Sequence, residues 1–101
     1  MSFQHLSVEE LKTMLGERDV VLLDTRDDAS YQAGHIEGSQ RLDERSVSSF
    51  VNDTDKASAV VVVCYHGHSS QGAANYLVEQ GFSDVYSLDG GYTAWASSSH
   101  R

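Results

Sequence analysis

The fold is decided by one stretch of the sequence, residues 60–70, which reads Val60-Val61-Val62-Val63-Cys64-Tyr65-His66-Gly67-His68-Ser69-Ser70. The valines form a continuous apolar run without polar alternation, which is typical of a parallel strand covered on both faces. The polar residues after it predict a loop, and the sequence from about Ser70 to Gln80, closed by Gly81, predicts a helix. Cys64 therefore lies at the carboxyl end of a buried strand, where parallel sheets bind their ligands.

Two more strands are predicted on either side of this stretch. Val20–Leu23 is a second apolar run, and Asp84–Leu88 follows the helix that ends near Gly81, so strand, helix and strand form a βαβ unit. We expect an α/β fold with a central, mostly parallel sheet and helices on both faces.

Four further features of the sequence predict helices and turns. Ser7 and Glu10 form a capping box at the start of a helix that we expect to end at Gly16. A short helix near residues 29–32 precedes a turn around Gly34, and another helix is expected from about Asp43 to Val51.

Length, charge and cysteine usage limit the function classes. The chain has 101 residues and a net charge of −8, so we expect residues 1–101 to form a single domain that does not bind nucleic acid. The single cysteine favours a reducing, cytoplasmic location. No signal peptide is visible, and the longest apolar run, residues 59–64, is much shorter than the ~20 residues that cross a bilayer, so no membrane association is expected.

The loop after the buried strand favours nucleophilic chemistry at Cys64. Backbone N–H groups that converge on a helix N-terminus form an anion site, and Gly67 permits the positive φ that such a turn often needs. A thiolate held there has a lowered pKa and is a nucleophile. Two other readings stay open: a cysteine after a valine strand is often a small buried hydrophobe, and Cys64, His66 and His68 are potential ligands of a soft metal.

Three segments in order along the chain resemble the signatures of the rhodanese family. They are Asp24-Thr25-Arg26 with Tyr31 and Gly34-His35-Ile36; residues 64–70, Cys64-Tyr65-His66-Gly67-His68-Ser69-Ser70; and Leu88-Asp89-Gly90-Gly91-Tyr92-Thr93-Ala94-Trp95. Together they span nearly the whole chain. The central segment is especially similar to the active loop of the single-domain thiosulfate sulfurtransferases of the GlpE type.

The resemblance implies a function and a set of site residues. Cys64 would attack the outer sulfur of thiosulfate, become a persulfide, and pass that sulfur to cyanide or to a thiol acceptor such as thioredoxin. The amides from Tyr65 to Ser69 would hold the sulfur anion, and Ser70 would complete the binding loop. Asp24 and Arg26 would support the loops through a buried ion pair, with a direct anion contact by Arg26 as the alternative. No metal or organic cofactor is implied.

The sequence also departs from related families in ways that narrow the activity. Ser70 stands six residues after Cys64, where phosphatases with a Cys-x5-Arg loop have the arginine that grips phosphate. A Cys-x-x-Cys motif is absent, which excludes a thioredoxin-like role. Many rhodaneses carry a cation in or just after the loop, whereas this chain has Ser69, Ser70 and Gln71 there, so we expect weaker thiosulfate binding.

The same cysteine loop also suits a second class of function. A rhodanese-like domain can be a persulfide carrier fed by a protein donor, or a binding or redox-sensing module that acts through sulfenic acid. The intact cysteine loop favours turnover. The sequence leaves open the physiological donor and acceptor, the oligomeric state, and whether His66 or His68 contacts the substrate.

Overall fold

A five-stranded parallel sheet forms the centre of the computed structural model, which describes residues 2–98. The strands occur in the order β1-β5-β4-β2-β3 across the sheet. In chain order the strands are β1 (Gln4–Leu6), β2 (Val21–Asp24), β3 (Gln40–Arg41), β4 (Ala59–Val63) and β5 (Asp84–Leu88), and the helices are α1 (Val8–Glu17), α2 (Asp28–Ala33), α3 (Val47–Asp53), α4 (Ser69–Glu79) and α5 (Gly91–Ser98). The predicted α/β architecture is confirmed.

Helices cover both faces of the sheet because alternate residues of each strand point to opposite sides. On one face, α3 and α4 contribute Phe50, Ala74 and Leu77, which pack on strand residues such as Val60 and Val62. On the other face, Leu11 and Trp95 from α1 and α5 pack with Val61 and Val63. β4 lies at the middle of the sheet and all of its residues are buried, as its valine run predicts.

The apolar runs predict their strands well, and the N-terminal capping box is confirmed. β2, β4 and β5 are found within one residue of their predicted bounds. Ser7 Oγ accepts from the Glu10 amide at 3.1 Å, and Glu10 Oε1 accepts from the Ser7 amide at 2.8 Å. Of these elements, β2 carries Asp24, and β4 ends immediately before Cys64.

Two predicted helix bounds are wrong. Gly16 does not end α1, which continues to Glu17 and stops where Arg18 adopts an extended conformation. α3 begins at Val47 rather than near Asp43, because the Asp43 carboxylate accepts from the amides at positions 45 and 46 and holds that segment in a turn.

The two edge strands were not predicted. β1 has three residues and β3 has two, and neither contains an apolar run. Their pairing partners, β5 and β2, are distant in sequence, so these strands depend on the assembled sheet. Across residues 2–98, none of the helices has the length and apolar character needed to span a membrane.

Candidate active site

Cys64 follows the last residue of β4 and is 2% exposed. The neighbouring strand fixes this position, since the Thr25 amide donates to the Val63 carbonyl at 2.9 Å. The loop of residues 65–68 then leads directly into α4, so the sulfur lies beside the N-terminus of that helix. The predicted strand, loop and helix arrangement is therefore present.

Donors from the loop and from the first turn of α4 converge on the sulfur. The Gly67 amide donates to Cys64 Sγ at 3.1 Å, and the thiol lies 3.2 Å from Ser70 Oγ, to which it donates when protonated. Burial raises the pKa of the Cys64 thiol, but hydrogen bonds from the hydroxyls of Ser70 and Ser69 and from the amides of Ser70 and Gly67 outweigh it, so the pKa is lowered. The arrangement therefore favours a thiolate.

The loop residues differ in how they meet the sulfur. Our sequence prediction gave this contact to the amides from Tyr65 to Ser69; of these, the Gly67 amide donates to Cys64 Sγ, and the Ser70 amide, outside that range, also lowers the pKa of the thiol. The side chains of His66 and His68 are exposed. Within residues 2–98 no three His, Cys, Asp or Glu side chains are grouped so as to hold a metal ion.

The carbonyl side of the loop is held by α5. The Tyr92 amide donates to the Cys64 carbonyl at 2.7 Å, and the Thr93 amide donates to the Tyr65 carbonyl at 3.1 Å. These amides belong to the first turn of α5, where no carbonyl of the same helix accepts from them. Because these two carbonyls point toward α5, the amides of the loop can point toward the sulfur.

Glycine is required at two points of this contact. At Gly91, with φ +60°, a Cβ would lie 2.4 Å from the Cys64 carbonyl oxygen. At Gly67, with φ +90°, a Cβ would lie 2.8 Å from the Gly90 amide nitrogen. The loop and the start of α5 approach too closely for a side chain at either position.

Gln71 supports the loop from within α4. Its side-chain amide donates to the Gly67 carbonyl at 2.8 Å. Gln71, one of the three residues that the sequence analysis noted in place of a cation, is therefore a hydrogen-bond donor to the segment that holds the sulfur.

Asp24 and Arg26 form a buried ion pair at the end of β2. Arg26 Nη2 lies 2.7 Å from Asp24 Oδ2, and the two residues are 5% and 1% exposed. Arg26 also donates to the Gly34 carbonyl at 2.7 Å. Its guanidinium lies 4.1 Å from the centre of the Tyr92 ring and 5.8 Å from that of Tyr65, which links β2 to the loop and to α5.

Tyr65 is fastened to the start of α2. Its hydroxyl donates to the Asp27 carboxylate and lies 2.6 Å from the Ser30 hydroxyl. The hydrogen bond from Tyr65 and those from the amide and hydroxyl of Ser30 lower the pKa of Asp27 to about 2. This anchor was not predicted, because it joins residues 38 positions apart.

Ser87 is a second residue that the sequence reasoning missed. It lies on β5 with no exposed surface, and its hydroxyl is 2.8 Å from that of Ser70. The sequence carries one signal for it: a serine within a strand of otherwise buried character, since buried polar side chains need a partner.

Comparisons with known proteins agree with this geometry. The family model of the rhodanese-like domain matches residues 7–98. A thiosulfate sulfurtransferase GlpE from Pseudoalteromonas translucida is 53% identical over 95 residues, which cover 94% of this chain and 90% of that protein. The protein of the same name from Shewanella oneidensis is 51% identical over 94 residues, with 93% of each chain covered.

Solved structures show the same fold. A rhodanese-like domain protein from Staphylococcus aureus superposes with a TM-score of 0.81 and 26% identity, covering 92% of this chain and 91% of that one. The rhodanese-like domain of an Anabaena protein gives a TM-score of 0.85 and 30% identity, covering 98% of this chain and 76% of that one.

Proposed function

The chain belongs to the rhodanese family, and on that premise we propose that it is a thiosulfate sulfurtransferase in which Cys64 carries the sulfur as a persulfide. The observation that supports this most directly is the pair of contacts at Cys64 Sγ: the Gly67 amide donates to it at 3.1 Å, and the Ser70 hydroxyl, 3.2 Å away, can donate to it once the thiol is ionised. They stabilise the thiolate that the reaction requires. The identity to thiosulfate sulfurtransferases extends over nearly the whole chain.

The first half of the reaction is a displacement at sulfur. The Cys64 thiolate attacks the outer sulfur of thiosulfate, a bond forms between Sγ and that sulfur, and the bond to the central sulfur breaks. The electron pair of the broken bond leaves with sulfite. The charges balance, because the thiolate anion and the thiosulfate dianion give a persulfide anion and a sulfite dianion. No proton is consumed when Cys64 is already ionised.

The second half returns the enzyme to its starting state. An acceptor attacks the outer sulfur of the persulfide, and the Cys64 thiolate leaves. With cyanide the product is thiocyanate, and with a thiolate it is the persulfide of the acceptor. We propose cyanide as the assay acceptor and a thiol protein such as thioredoxin as a physiological one, on the family resemblance.

The surrounding residues have supporting roles in this proposal. The exposed side of the loop consists of Tyr65, His66 and His68. Hydroxyl groups come from Ser69 and Ser70. Asp24 and Arg26 position the loop, since the ion pair is buried and Arg26 reaches the rings on both sides of the site.

We further propose that residues 1–101 form a single domain and act in the cytoplasm, where one unpaired cysteine stays reduced.

The test is thiocyanate formation from thiosulfate and cyanide by wild type and by Cys64→Ser. We expect activity in the wild type and none in the variant, with equal melting temperatures for both. Absence of thiocyanate with a folded wild type would reject the small-molecule enzyme and favour a carrier fed by a protein donor.

A further inference from the structure

Two buried serine hydroxyls and the Cys64 sulfur form a continuous chain of hydrogen bonds. Cys64 Sγ lies 3.2 Å from Ser70 Oγ, which lies 2.8 Å from Ser87 Oγ. Ser70 comes from the first turn of α4, and Ser87 comes from β5, where it is paired in register with Val62 of β4. Both serines have no exposed surface, so water does not compete for their hydroxyls.

The number of hydroxyl hydrogens decides the direction of donation in the hydrogen bonds that join Ser87, Ser70 and Cys64. A thiolate has no hydrogen, so Ser70 must donate to Sγ, and the Ser70 oxygen is then free to accept from Ser87. The two links use the two hydroxyl hydrogens. When Cys64 is a thiol, it donates to Ser70 and Ser70 donates to Ser87. The hydroxyl hydrogen of Ser87 is then used in neither of these two hydrogen bonds.

We propose that Ser87 is a positioning residue for sulfur transfer, whose hydroxyl directs the Ser70 hydroxyl toward Cys64 Sγ and so stabilises the sulfur when it is an anion. The proposal rests on the sulfurtransferase function above and adds a residue outside the cysteine loop. Ser87 does not touch the reacting sulfur. It acts through Ser70, because a hydroxyl that accepts a hydrogen bond becomes a stronger donor.

The two halves of the reaction would respond differently to the loss of this hydroxyl. At a pH where Cys64 is fully ionised, a less stabilised thiolate is no poorer as a nucleophile toward thiosulfate, but it is a poorer leaving group in the second half. We therefore expect Ser87→Ala to slow transfer from the persulfide to cyanide a few-fold at high pH and to leave attack on thiosulfate unslowed. A general loosening of the site would slow both halves.

The primary test is the pH profile of Cys64 alkylation by iodoacetamide. In Ser87→Ala we expect the profile to move to higher pH, so that alkylation on its acid side is about three- to tenfold slower than in the wild type, the effect of one hydrogen bond. Titratable side chains also occur on the segments around the sulfur, and these variants leave them unchanged: Asp24, Arg26, Tyr65, His66, His68, Asp89 and Tyr92.

Ser39→Ala is the matched control. Ser39 is 8% exposed, and its hydroxyl has no hydrogen-bond partner among residues 2–98, so its removal deletes a buried hydroxyl that takes no part in the Cys64–Ser70–Ser87 hydrogen bonds. We expect the wild-type alkylation profile in this variant. In a Ser70→Ala background, Ser87→Ala should cause no further change, because Ser87 acts through Ser70.

Two results would overturn the proposal: a folded Ser87→Ala protein with the wild-type profile, or an equal further shift in the Ser70→Ala background. If the alanine variant does not fold, Ser87→Cys is used instead, since a thiol is a weak donor, and alkylation of Cys64 is followed on its own peptide. There a wild-type profile would likewise reject the proposal. Alkylation needs no sulfur transfer, so a wild type without thiocyanate activity but with a Ser87-dependent profile would reject the proposed function alone.

Discussion

Comparing Gly67→Ala with a matched glycine variant separates the cost of the backbone conformation from that of the close contact that holds the catalytic loop. Gly67 has φ +90°, and a Cβ there would lie 2.8 Å from the Gly90 amide nitrogen and 3.1 Å from the Leu88 carbonyl oxygen. Gly38 is the matched control, because it has φ +88° and, in the part of the chain that the structure describes, no atom lies within 4 Å of a Cβ built at that position. The two substitutions therefore share the conformational penalty and differ in the collision.

The expected magnitudes follow from these contacts. The left-handed backbone costs an L-residue about 1–2 kcal/mol, so Gly38→Ala should lower the free energy of unfolding by about that amount. In Gly67→Ala the collision with backbone adds about 1–3 kcal/mol. The Gly67 amide must also move from Cys64 Sγ, and loss of a hydrogen bond to a charged group, about 1.5–3 kcal/mol, should slow alkylation of Cys64 about tenfold to a hundredfold on the acid side of its profile.

Urea unfolding and the alkylation profile measure the two effects on the same proteins. Gly38→Ala should lose stability and keep wild-type alkylation, whereas Gly67→Ala should lose more stability and alkylate slowly. Equal losses of stability in the two variants, together with wild-type alkylation in Gly67→Ala, would show that close approach to α5 does not hold the loop.

Other substitutions test the supporting contacts. Arg26→Met leaves the Asp24 carboxylate buried without its partner and should lower the free energy of unfolding by about 3–5 kcal/mol in urea titrations, with partial recovery when Asp24→Asn is added; no loss would mean that the pair is dispensable. Gln71→Lys places a cation beside the loop and should lower the KM for thiosulfate a few-fold at low salt, the effect of about 1 kcal/mol of screened attraction, and an unchanged KM would contradict the expected role of charge at this position. The pKa of Asp27 is lowered from 3.8 to about 2 in the folded protein, so its contribution to stability is present above about pH 4 and is lost as the pH falls through about 2. The difference in unfolding free energy between wild type and Asp27→Asn should therefore shrink over that window, and a difference independent of pH would exclude this linkage.

Local patterns along the chain predict the central part of the fold. The valine run of β4 and the capping box of α1 are short signals whose meaning does not depend on distant residues. β1 and β3 could not be predicted in this way, because each forms only where an assembled neighbour offers unpaired backbone groups. Asp43 illustrates the remaining errors: its carboxylate accepts hydrogen bonds within a turn, where we expected the start of a helix.

The candidate site is predictable in its nucleophile and much less so in its supports. Cys64 stands out because its type, its strand and the loop after it all indicate the same chemistry. The Tyr65 anchor on Asp27 and the contact between Ser70 and Ser87 depend on which segments meet in space, so spacing along the chain does not reveal them. The capping of the Cys64 carbonyl by α5 is of the same kind.

The role of Cys64 as the sulfur carrier is tested by the intact mass of the protein after exposure to thiosulfate alone, without an acceptor. If Cys64 carries the sulfur as a persulfide, the wild type gains the mass of one sulfur atom, the gain is lost on addition of cyanide, and Cys64→Ser gains none. A folded wild type that gains no sulfur, or a Cys64→Ser variant that gains one, would contradict the assignment of Cys64 as the sulfur carrier.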